Sequence, residues 1–408
     1  MKIRSFKGLT PAKGKAEAIA SLPYDVVNYQ QACEQAEGRP LSFMRVVRSE
    51  IELPEGTDPY SDAVYAHAKE NFERLMANGD LVREPENCMY LYRQEMGGHS
   101  QTGLVATFSA EDYDSDVIKK HEKTRAAKEN DRYRLTKTLR ANTGPVFLTV
   151  KDGTALDKII AEKDDADAIF DFVANDGIRH TGWKISDPEK LAKIKEIFDK
   201  IPCAYVADGH HRSASNARCA RDLKAENPNH TGDEDYNWFL SVVFPAGQLK
   251  ILPYNRVVRD LAGMDESEFL EKLSKVCTVT QSGEKSPAAP NFVDMYLGKK
   301  WYTLKFENTS SLGAVEGLDV SLLQDRVLSP ILKIGDPRTD ERIDFVGGIR
   351  GTGELEKLVD SGKFAVAFSM YPTTVAQLMD IADAGEIMPP KSTWFEPKLR
   401  SGLFVHTF

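Results

Sequence analysis

The sequence lacks the short motifs that identify several common enzyme classes. It contains no G-x-x-x-x-G-K-[ST] loop, no strand followed by G-x-G-x-x-G, no H-E-x-x-H and no G-x-S-x-G. These absences argue against a P-loop ATPase, a Rossmann dehydrogenase, a zincin protease and an α/β-hydrolase. Any catalytic chemistry must therefore come from a less common arrangement of residues.

Cysteine is scarce and long hydrophobic runs are missing. No stretch approaches the roughly 18 apolar residues that cross a bilayer, and a proline and charged residues between positions 11 and 17 interrupt any signal-peptide core. We therefore expect a cytoplasmic protein with no membrane contact. The five cysteines are widely spaced without a C-x-x-C pair, which favours reduced thiols over a disulfide framework or a cysteine zinc site: Cys33, Cys88, Cys203, Cys219 and Cys277.

The charge balance is acidic. The chain of 408 residues has 53 Lys and Arg against 62 Asp and Glu, a formal net charge of -9. Such a field repels nucleic acid, so no nucleic-acid partner is expected. A small anionic ligand would need a local cluster of cations and backbone N–H groups.

The coarse pattern is that of a mixed α/β protein. Strands are predicted at 43–47, 89–94, 102–108, 146–150, 203–207 and 301–306, with a hairpin at Gly97-Gly98. Helices are predicted at 60–78 and 213–226, and the charged segment 116–142 is interpreted as a loop followed by a helix that exposes Lys128, Arg132 and Arg134.

The strongest local signal is the segment Asp208-Gly209-His210-His211-Arg212, which follows an apolar strand and precedes a helix. A glycine turn that leads into a helix presents unpaired N–H groups and the positive end of the helix dipole to a phosphate or other oxyanion. An arginine there can bind two oxygens at once. In the alternative interpretation, Asp208 only caps the helix and the histidines are surface residues.

A second signal is the charged segment His121-Glu122-Lys123-Thr124-Arg125, continued by Lys128 and Arg132. Its mixture of cations and carboxylates is typical of a mobile active-site loop around a charged substrate. A solvated charged helix explains the same composition.

Two weaker signals lie nearer the C-terminus. The glycines around Arg350 in 344–351 suit either a nest of N–H groups for an anion or an ordinary hairpin turn. Lys391, which follows two prolines, suits either an anion contact or a stiffened strand entry.

Three carboxylates are candidates for proton transfer or for Mg²⁺ binding: Asp25, Glu122 and Asp208. Carboxylate oxygens are hard ligands that suit Mg²⁺ beside phosphate. The sequence alone does not show whether these residues converge.

Six segments spread along nearly the whole chain form one set: Leu22-Pro23-Tyr24-Asp25-Val26, Phe43-Met44-Arg45-Val46, His121-Glu122-Lys123-Thr124, Arg140-Ala141-Asn142-Thr143-Gly144-Pro145, Ala207-Asp208-Gly209-His210-His211-Arg212 and Asp344-Phe345-Val346-Gly347-Gly348. Together they resemble the bacterial domain-of-unknown-function family 1015. The segment at 208–212 is also similar to the phosphate-binding box of the ParB/sulfiredoxin-like superfamily.

The resemblance implies an α/β fold with a ParB/sulfiredoxin-like core and a diphosphate-dependent kinase that converts free L-serine to O-phospho-L-serine. We expect a catalytic region at 1–245 and a C-terminal α/β region at 246–408 that packs on the same active site. A homodimer is allowed but not required. Three alternatives stay open: a phosphoserine phosphatase, a nucleotide-dependent serine kinase, and a nucleotide-gated DNA-binding clamp.

The resemblance also implies roles for the candidate residues. Asp208, Glu122 or Asp25 would serve as the base, with Asp208 also a ligand of Mg²⁺. Arg45 and Arg350 would bind the acceptor substrate. The phosphate groups would be held by Gly209, His210, His211, Arg212, Lys123, Thr124, Lys128, Arg132 and Lys391.

Overall fold

The computed structural model describes residues 1–163 and 165–408. They form two compact units. The first comprises Met1–Lys120, Thr124–Leu249 and Pro397–Phe408, and the second comprises His121–Lys123 and Lys250–Glu396. The last twelve residues of the chain thus return to the first unit.

Numbered in chain order over the described residues, the strands are β1 (Ile3–Arg4), β2 (Leu9–Pro11), β3 (Leu81–Arg83), β4 (Met89–Met96), β5 (His99–Ser109), β6 (Ile118–Lys119), β7 (Ala141–Asn142), β8 (Val146–Val150), β9 (Ala168–Val173), β10 (Arg179–Ile185), β11 (Ala204–Asp208), β12 (Trp238–Pro245), β13 (Lys250–Leu252), β14 (Tyr254–Val258), β15 (Thr278–Ser282), β16 (Phe292–Leu297), β17 (Lys300–Lys305), β18 (Ile343–Gly347), β19 (Val366–Met370), β20 (Trp394–Glu396) and β21 (His406–Thr407).

The α-helices of the same residues are α1 (Ala16–Ile19), α2 (Tyr29–Ala36), α3 (Met44–Val47), α4 (Asp62–Ala77), α5 (Ala110–Asp114), α6 (Ala126–Leu139), α7 (Thr154–Ala161), α8 (Pro188–Asp199), α9 (His210–Glu226), α10 (Glu266–Leu273), α11 (Asp319–Leu323), α12 (Gly351–Asp360) and α13 (Val375–Asp383). Short 3-10 turns occur at Ser49–Glu52, Asp165–Asp167, Asp235–Asn237, Ala246–Gln248 and Gly348–Arg350, and a π-helical turn at Gln324–Leu328.

The first unit is built on a large mixed sheet in the order β6-β11-β8-β12-β5-β4-β10-β9, with β1 also paired to β5. The pairs β6–β11 and β8–β12 are parallel, and the other neighbours are antiparallel. Every residue of β8 is buried, as expected of a central strand covered on both faces. The mixed sheet with its helices confirms the predicted α/β class.

One apolar cluster of this unit joins the sheet to helices α7, α8 and α9. Leu148 of β8 and Val206 of β11 contribute from the sheet. Leu156, Phe198 and Ala217 contribute from the three helices in turn. The strand that leads into residue 208 and the helix that follows it therefore share one core.

A second apolar cluster lies around the N-terminal segment of the same unit. It packs Tyr24, Phe43 and Met44 against Phe72 of α4 and Leu135 of α6. This cluster therefore packs the N-terminal segment against α4 and α6.

The second unit contains an antiparallel sheet in the order β15-β17-β16-β19-β14-β18. Helix α12 packs on it through Leu355, which lies in a cluster with Tyr296, Trp301 and Phe364. A separate pair is formed by β13 and β20.

Most predicted elements are confirmed, including the β4–β5 hairpin, α4, β8 and β11. The predicted strand at 43–47 is wrong, because these residues form the short helix α3. Periodicity cannot distinguish a strand from one buried helical turn in so short an apolar run. Here, packing in the cluster with Phe72 decides the outcome.

The five cysteines are unbonded, as predicted. None of the helices in the described part of the chain combines the length and the apolar character that crossing a membrane requires.

Candidate functional site

The segment Asp208-Gly209-His210-His211-Arg212, here called the 208–212 box, joins β11 to α9. Asp208 ends the strand, Gly209 turns the chain with φ 95° and ψ 33°, and α9 begins at His210. A Cβ atom on Gly209 would lie 3.0 Å from Cζ and Nε of Arg212. Glycine is therefore required both for the left-handed backbone and for the close approach of this guanidinium.

The Arg212 side chain is buried and crosses back over the turn. Its Nη2 donates to Oδ2 of Asp208 at 3.0 Å, and its Nη1 donates to the carbonyl oxygen of Pro145. Asp208 also lies near Lys398, whose Nζ is 3.6 Å from Oδ1. The box thus holds one carboxylate between two cations, one of which comes from the C-terminal segment.

Electrostatics set the protonation of Asp208. Burial raises its pKa, but Lys398, Arg212 and His210 lower it more, to about 2. Asp208 is therefore an ionised group and a weak base at neutral pH.

His210, in contrast to Asp208, is uncharged at neutral pH. Burial lowers its pKa to about 4, opposed by the charge of Asp208 and reinforced by that of Arg212. At neutral pH His210 is a neutral imidazole, which donates from one ring nitrogen and accepts at the other. It would bind an anion by hydrogen bonding rather than by charge.

The charged segment after residue 123 meets the box through His211. Nε2 of His211 accepts a hydrogen bond from the backbone N–H of Arg125 at 3.0 Å. Thr124 donates to Oε2 of Glu129 at 2.7 Å within the first turns of α6. The start of α6 and the start of α9 are therefore neighbours, and Thr124 lies close to the box.

Arg132 is buried, so its predicted position on the exposed face of a helix is wrong. Its Nε and Nη2 donate to Oδ2 of Asp131 at 3.0 and 2.8 Å, and its guanidinium carbon lies 3.9 Å from the centre of the Tyr24 ring. The carboxylate and the ring compensate for the desolvation of the charge. Lys128, by contrast, is exposed as predicted and lies 5.5 Å from the Tyr60 ring centre.

Two other predicted residues of the first unit have different environments. Asp25 is exposed and directly follows the buried Tyr24. Arg45 lies on α3, where Nη1 pairs with Glu52, Nε donates to the carbonyl of Arg39 at 3.2 Å and Nη2 donates to that of Ala36 at 2.7 Å. These bonds tie α3 to its surroundings and occupy the guanidinium.

Four predicted residues lie in the second unit. Glu122 and Lys123 follow His121, whose carbonyl accepts from the N–H of Met388 at 2.8 Å. Arg350 is exposed at the end of a 3-10 turn, and Lys391 has its Nζ 5.4 Å from the Tyr254 ring centre.

The glycine pair at 347–348 has a packing role in this second unit. A Cβ on Gly347 would lie 2.7 Å from the Trp394 ring, and one on Gly348 would lie 2.7 Å from the carbonyl of Pro253. A strand followed by a 3-10 turn replaces the hairpin that was one of the two interpretations.

The residues that could hold Mg²⁺ are few. No group of three or more His, Cys, Asp or Glu side chains forms a metal cage in the part of the chain that the structure describes. Mg²⁺ beside a phosphate commonly uses only one or two carboxylates, with waters and phosphate oxygens as the other ligands. Asp208 fits that use, because it is ionised and 27% of its side chain is exposed.

The sequence did not indicate Lys398. It lies far along the chain from the box, outside every segment that was singled out, and only the return of Pro397–Phe408 to the first unit places it there. The same segment brings Ser401 to within 3.0 Å of the position a Gly144 Cβ would take. The sequence around Pro397 does not indicate the contact of Lys398 with Asp208 or that of Ser401 with the Gly144 position.

The comparisons with known proteins give one family and several distant structures. A family model described as a protein of unknown function (DUF1015) matches residues 3–321. No curated protein matches the sequence.

Three solved structures illustrate the distant similarities. A free serine kinase in complex with AMP is 13% identical, with a TM-score of 0.36, and the match covers 71% of this chain and 86% of that one. SbnI with a C-terminal truncation, from Staphylococcus aureus, is 12% identical, with a TM-score of 0.39 and coverage of 73% and 85%. A conserved hypothetical protein from Pyrococcus furiosus is 15% identical, with a TM-score of 0.36 and coverage of 73% and 93%. These similarities are too low to assign a function.

Proposed function

The chain belongs to the DUF1015 family, whose model matches most of its length, and from this premise we propose that it is a phosphotransferase that phosphorylates the hydroxyl group of free L-serine. Diphosphate is the proposed donor and O-phospho-L-serine the product. The acceptor and the donor follow from the family resemblance of the sequence. The reaction class is supported by the 208–212 box.

The observation that carries the proposal is the arrangement of Asp208, Arg212 and Lys398 at the first turn of α9. The N–H groups of a first helical turn have no partners within the helix and attract an anion. Arg212 and Lys398 add positive charge at that turn, and Asp208 holds both cations in position. Phosphoryl transfer depends mainly on such positioning and charge stabilisation.

In the proposed reaction, the serine hydroxyl oxygen attacks one phosphorus atom of diphosphate. The bond from that phosphorus to the bridging oxygen breaks, and orthophosphate leaves. Arg212, Lys398, neutral His210 and the first turn of α9 stabilise the negative charge on the transferred group. Lys128, exposed on α6, would help to hold the donor.

The proton of the serine hydroxyl must pass to a base. Asp208 is poorly suited to this step, because its pKa of about 2 makes it a weak base. Asp25 and Glu122 therefore stay as the candidates. Of these two candidate bases, Asp25 lies in the first unit. It directly follows Tyr24, whose ring packs against Arg132.

Mg²⁺ is part of the proposal as a companion of the donor. Asp208 would be its protein ligand, and when bound the ion would neutralise phosphate oxygens. Roles for Glu122, Lys123, Arg350 and Lys391 stay predictions, to be tested by substitution.

Phosphorus NMR of the purified protein tests the proposal. L-serine and Mg²⁺ are combined with diphosphate, ADP or ATP in separate samples, with Arg212→Ala as the control. O-phosphoserine formed with diphosphate and lost in the control is the expected result. Formation of O-phosphoserine only with ADP or ATP would show that the donor is a nucleotide and not diphosphate.

Two further outcomes would contradict the proposed phosphotransferase reaction. Release of orthophosphate from phosphoserine without transfer to an acceptor would identify a phosphatase. A salt-dependent mobility shift with DNA, and no phosphoserine with any donor, would indicate the DNA-binding alternative.

A further inference from the structure

A small cavity lies between the Tyr24 segment, α6 and α9, and it shares Arg212 with the 208–212 box. Its volume is about 20 Å³. The residues that line it include Tyr24, Arg132, Thr143, Gly144, Arg212 and Ser401.

Two hydrogen-bond donors at this cavity are unsatisfied. Within residues 1–163 and 165–408, neither the hydroxyl of Tyr24 nor Nε of Arg212 has a hydrogen-bond partner. Both side chains are more than nine-tenths buried, since Tyr24 is 6% and Arg212 is 8% exposed. An unsatisfied buried donor is unfavourable for folding, so a ligand that accepts from both would stabilise the protein.

The charges around the cavity select the kind of ligand. Among the described residues that line it, Arg132 and Arg212 are cationic and none is acidic. Two guanidinium groups beside an unsatisfied N–H donor favour an anion with planar oxygens over a neutral or cationic group.

The small volume of the cavity limits which anion it can hold. Its volume corresponds to roughly one or two water positions. A carboxylate, with its two oxygens on one carbon, is close to that size, whereas a tetrahedral phosphate is larger. We therefore expect a carboxylate, and not a phosphate, in this cavity.

We propose that this cavity binds the carboxylate group of the acceptor, with one oxygen accepting from the Tyr24 hydroxyl and the other from Nε of Arg212. This inference rests on the proposed function and adds the determinant of acceptor specificity. Arg132, held by Asp131 and by the Tyr24 ring, supplies positive charge without having to move. The proposal thus gives to Tyr24 and Arg212, with the charge of Arg132, the substrate-binding role that the family resemblance implied for Arg45.

The first test removes only the free hydroxyl. Tyr24→Phe leaves the ring under Arg132 and deletes a group that bonds to no described residue, so the fold should keep its stability or gain a little. By calorimetry, its affinity for L-serine should fall about tenfold, while binding of inorganic diphosphate stays unchanged. Tyr90→Phe is the matched control, because Tyr90 is a buried tyrosine of the same unit that does not line the cavity.

A second variant fills the cavity instead. A Cβ on Gly144 would lie 3.0 Å from Oγ of Ser401 and 3.8 Å from Nη1 of Arg212. Gly144→Ala should therefore weaken L-serine binding as well, while Gly247→Ala, with no atom within 4 Å of its added Cβ, should bind as the wild type does. The amino alcohol 2-amino-1,3-propanediol, which lacks the carboxylate, should bind weakly to every variant and show no dependence on Tyr24.

These results separate the two proposals. Tyr24-dependent binding of L-serine without any phosphoserine product would support the carboxylate site and overturn the phosphotransferase. Phosphoserine production with an unchanged KM for L-serine in both Tyr24→Phe and Gly144→Ala would leave the phosphotransferase intact and show that the cavity holds only water.

Discussion

Nζ of Lys398 lies 3.6 Å from Oδ1 of Asp208, although the two residues are separated by most of the C-terminal half of the chain. Arg212 approaches the other oxygen of the same carboxylate at 3.0 Å. The carboxylate therefore links the start of α9 to the returning segment Pro397–Phe408. The anion site proposed at the 208–212 box would therefore depend on the correct docking of that segment.

Replacing the lysine tests this link. Lys398→Met keeps the length of the side chain and removes its charge, so the pKa of Asp208 should rise and the free energy of unfolding should fall by about 1–2 kcal/mol. Urea unfolding measures the second effect and carboxyl NMR the first. In the double variant Asp208→Asn/Lys398→Met, the loss should be smaller than the sum of the two single losses; strict additivity would show that the pair does not interact.

The glycine of the box offers a test with a close control. Gly209→Ala should destabilise the fold by about 1–2 kcal/mol for the left-handed backbone, and it should also displace the Arg212 guanidinium, which lies 3.0 Å from the new Cβ. Gly232→Ala has a similar φ of 100° but no atom within 4 Å of the added Cβ. Both variants should lose stability in urea, but only Gly209→Ala should lose diphosphate binding in calorimetry. Equal diphosphate affinity in the two would contradict the role of Arg212.

Much of the fold could be predicted because its central elements have strong local signals. The buried run of β8 and the Asn78-Gly79 end of α4 are examples in which pattern and packing agree. The segment at 43–47 could not be predicted correctly. Its one helical turn is stabilised by the cluster around Phe72, and nothing in five apolar and basic residues distinguishes this turn from a strand.

The geometry of the candidate site could be predicted from the sequence where its residues are neighbours in the chain. The order strand, glycine, helix at Asp208 to Arg212 follows from turn and helix-capping chemistry. Arg132 was predicted on an exposed face because α6 is polar. In the structure its charge is buried against the adjacent Asp131 and the ring of Tyr24, which is far away in the chain. Contacts between residues so far apart in the chain, like that of Lys398, are set by tertiary structure and have no local signature.

Acid should destabilise the first unit through His210. Its pKa is about 4 in the folded protein against an ordinary value of 6.5, so between these values the unfolded chain binds a proton that the native state does not. Stability should therefore fall as pH decreases from 6.5 to 4, by up to about 3 kcal/mol from this residue. Asp208, with an ordinary pKa of 3.8 and a pKa of about 2 in the folded protein, should lower the stability further only as the pH falls from 3.8 towards 2.

Urea unfolding across that pH range checks the effect. His210→Gln should give a flatter dependence of the free energy of unfolding on pH than the wild type. His406, whose pKa burial lowers to about 3, leaves a residual slope in both proteins. A slope unchanged in His210→Gln would refute the assignment.

The shape of Arg212 should matter as much as its charge. Nη1 and Nη2 donate to two different acceptors, Pro145 and Asp208, while Nε has no hydrogen-bond partner among the described residues and the side chain lines the cavity. A lysine has one nitrogen and cannot make this set of contacts, so Arg212→Lys should keep a folded protein but lose about 100-fold or more in kcat/KM for phosphoserine formation. Steady-state assays with diphosphate measure the loss, and Arg218→Lys, on the same helix with its guanidinium over the Tyr133 ring, is the control that should stay near the wild-type rate. Activity that survived Arg212→Lys would show that only positive charge is needed there, and the proposed bridging of the box and the cavity by one guanidinium would be wrong.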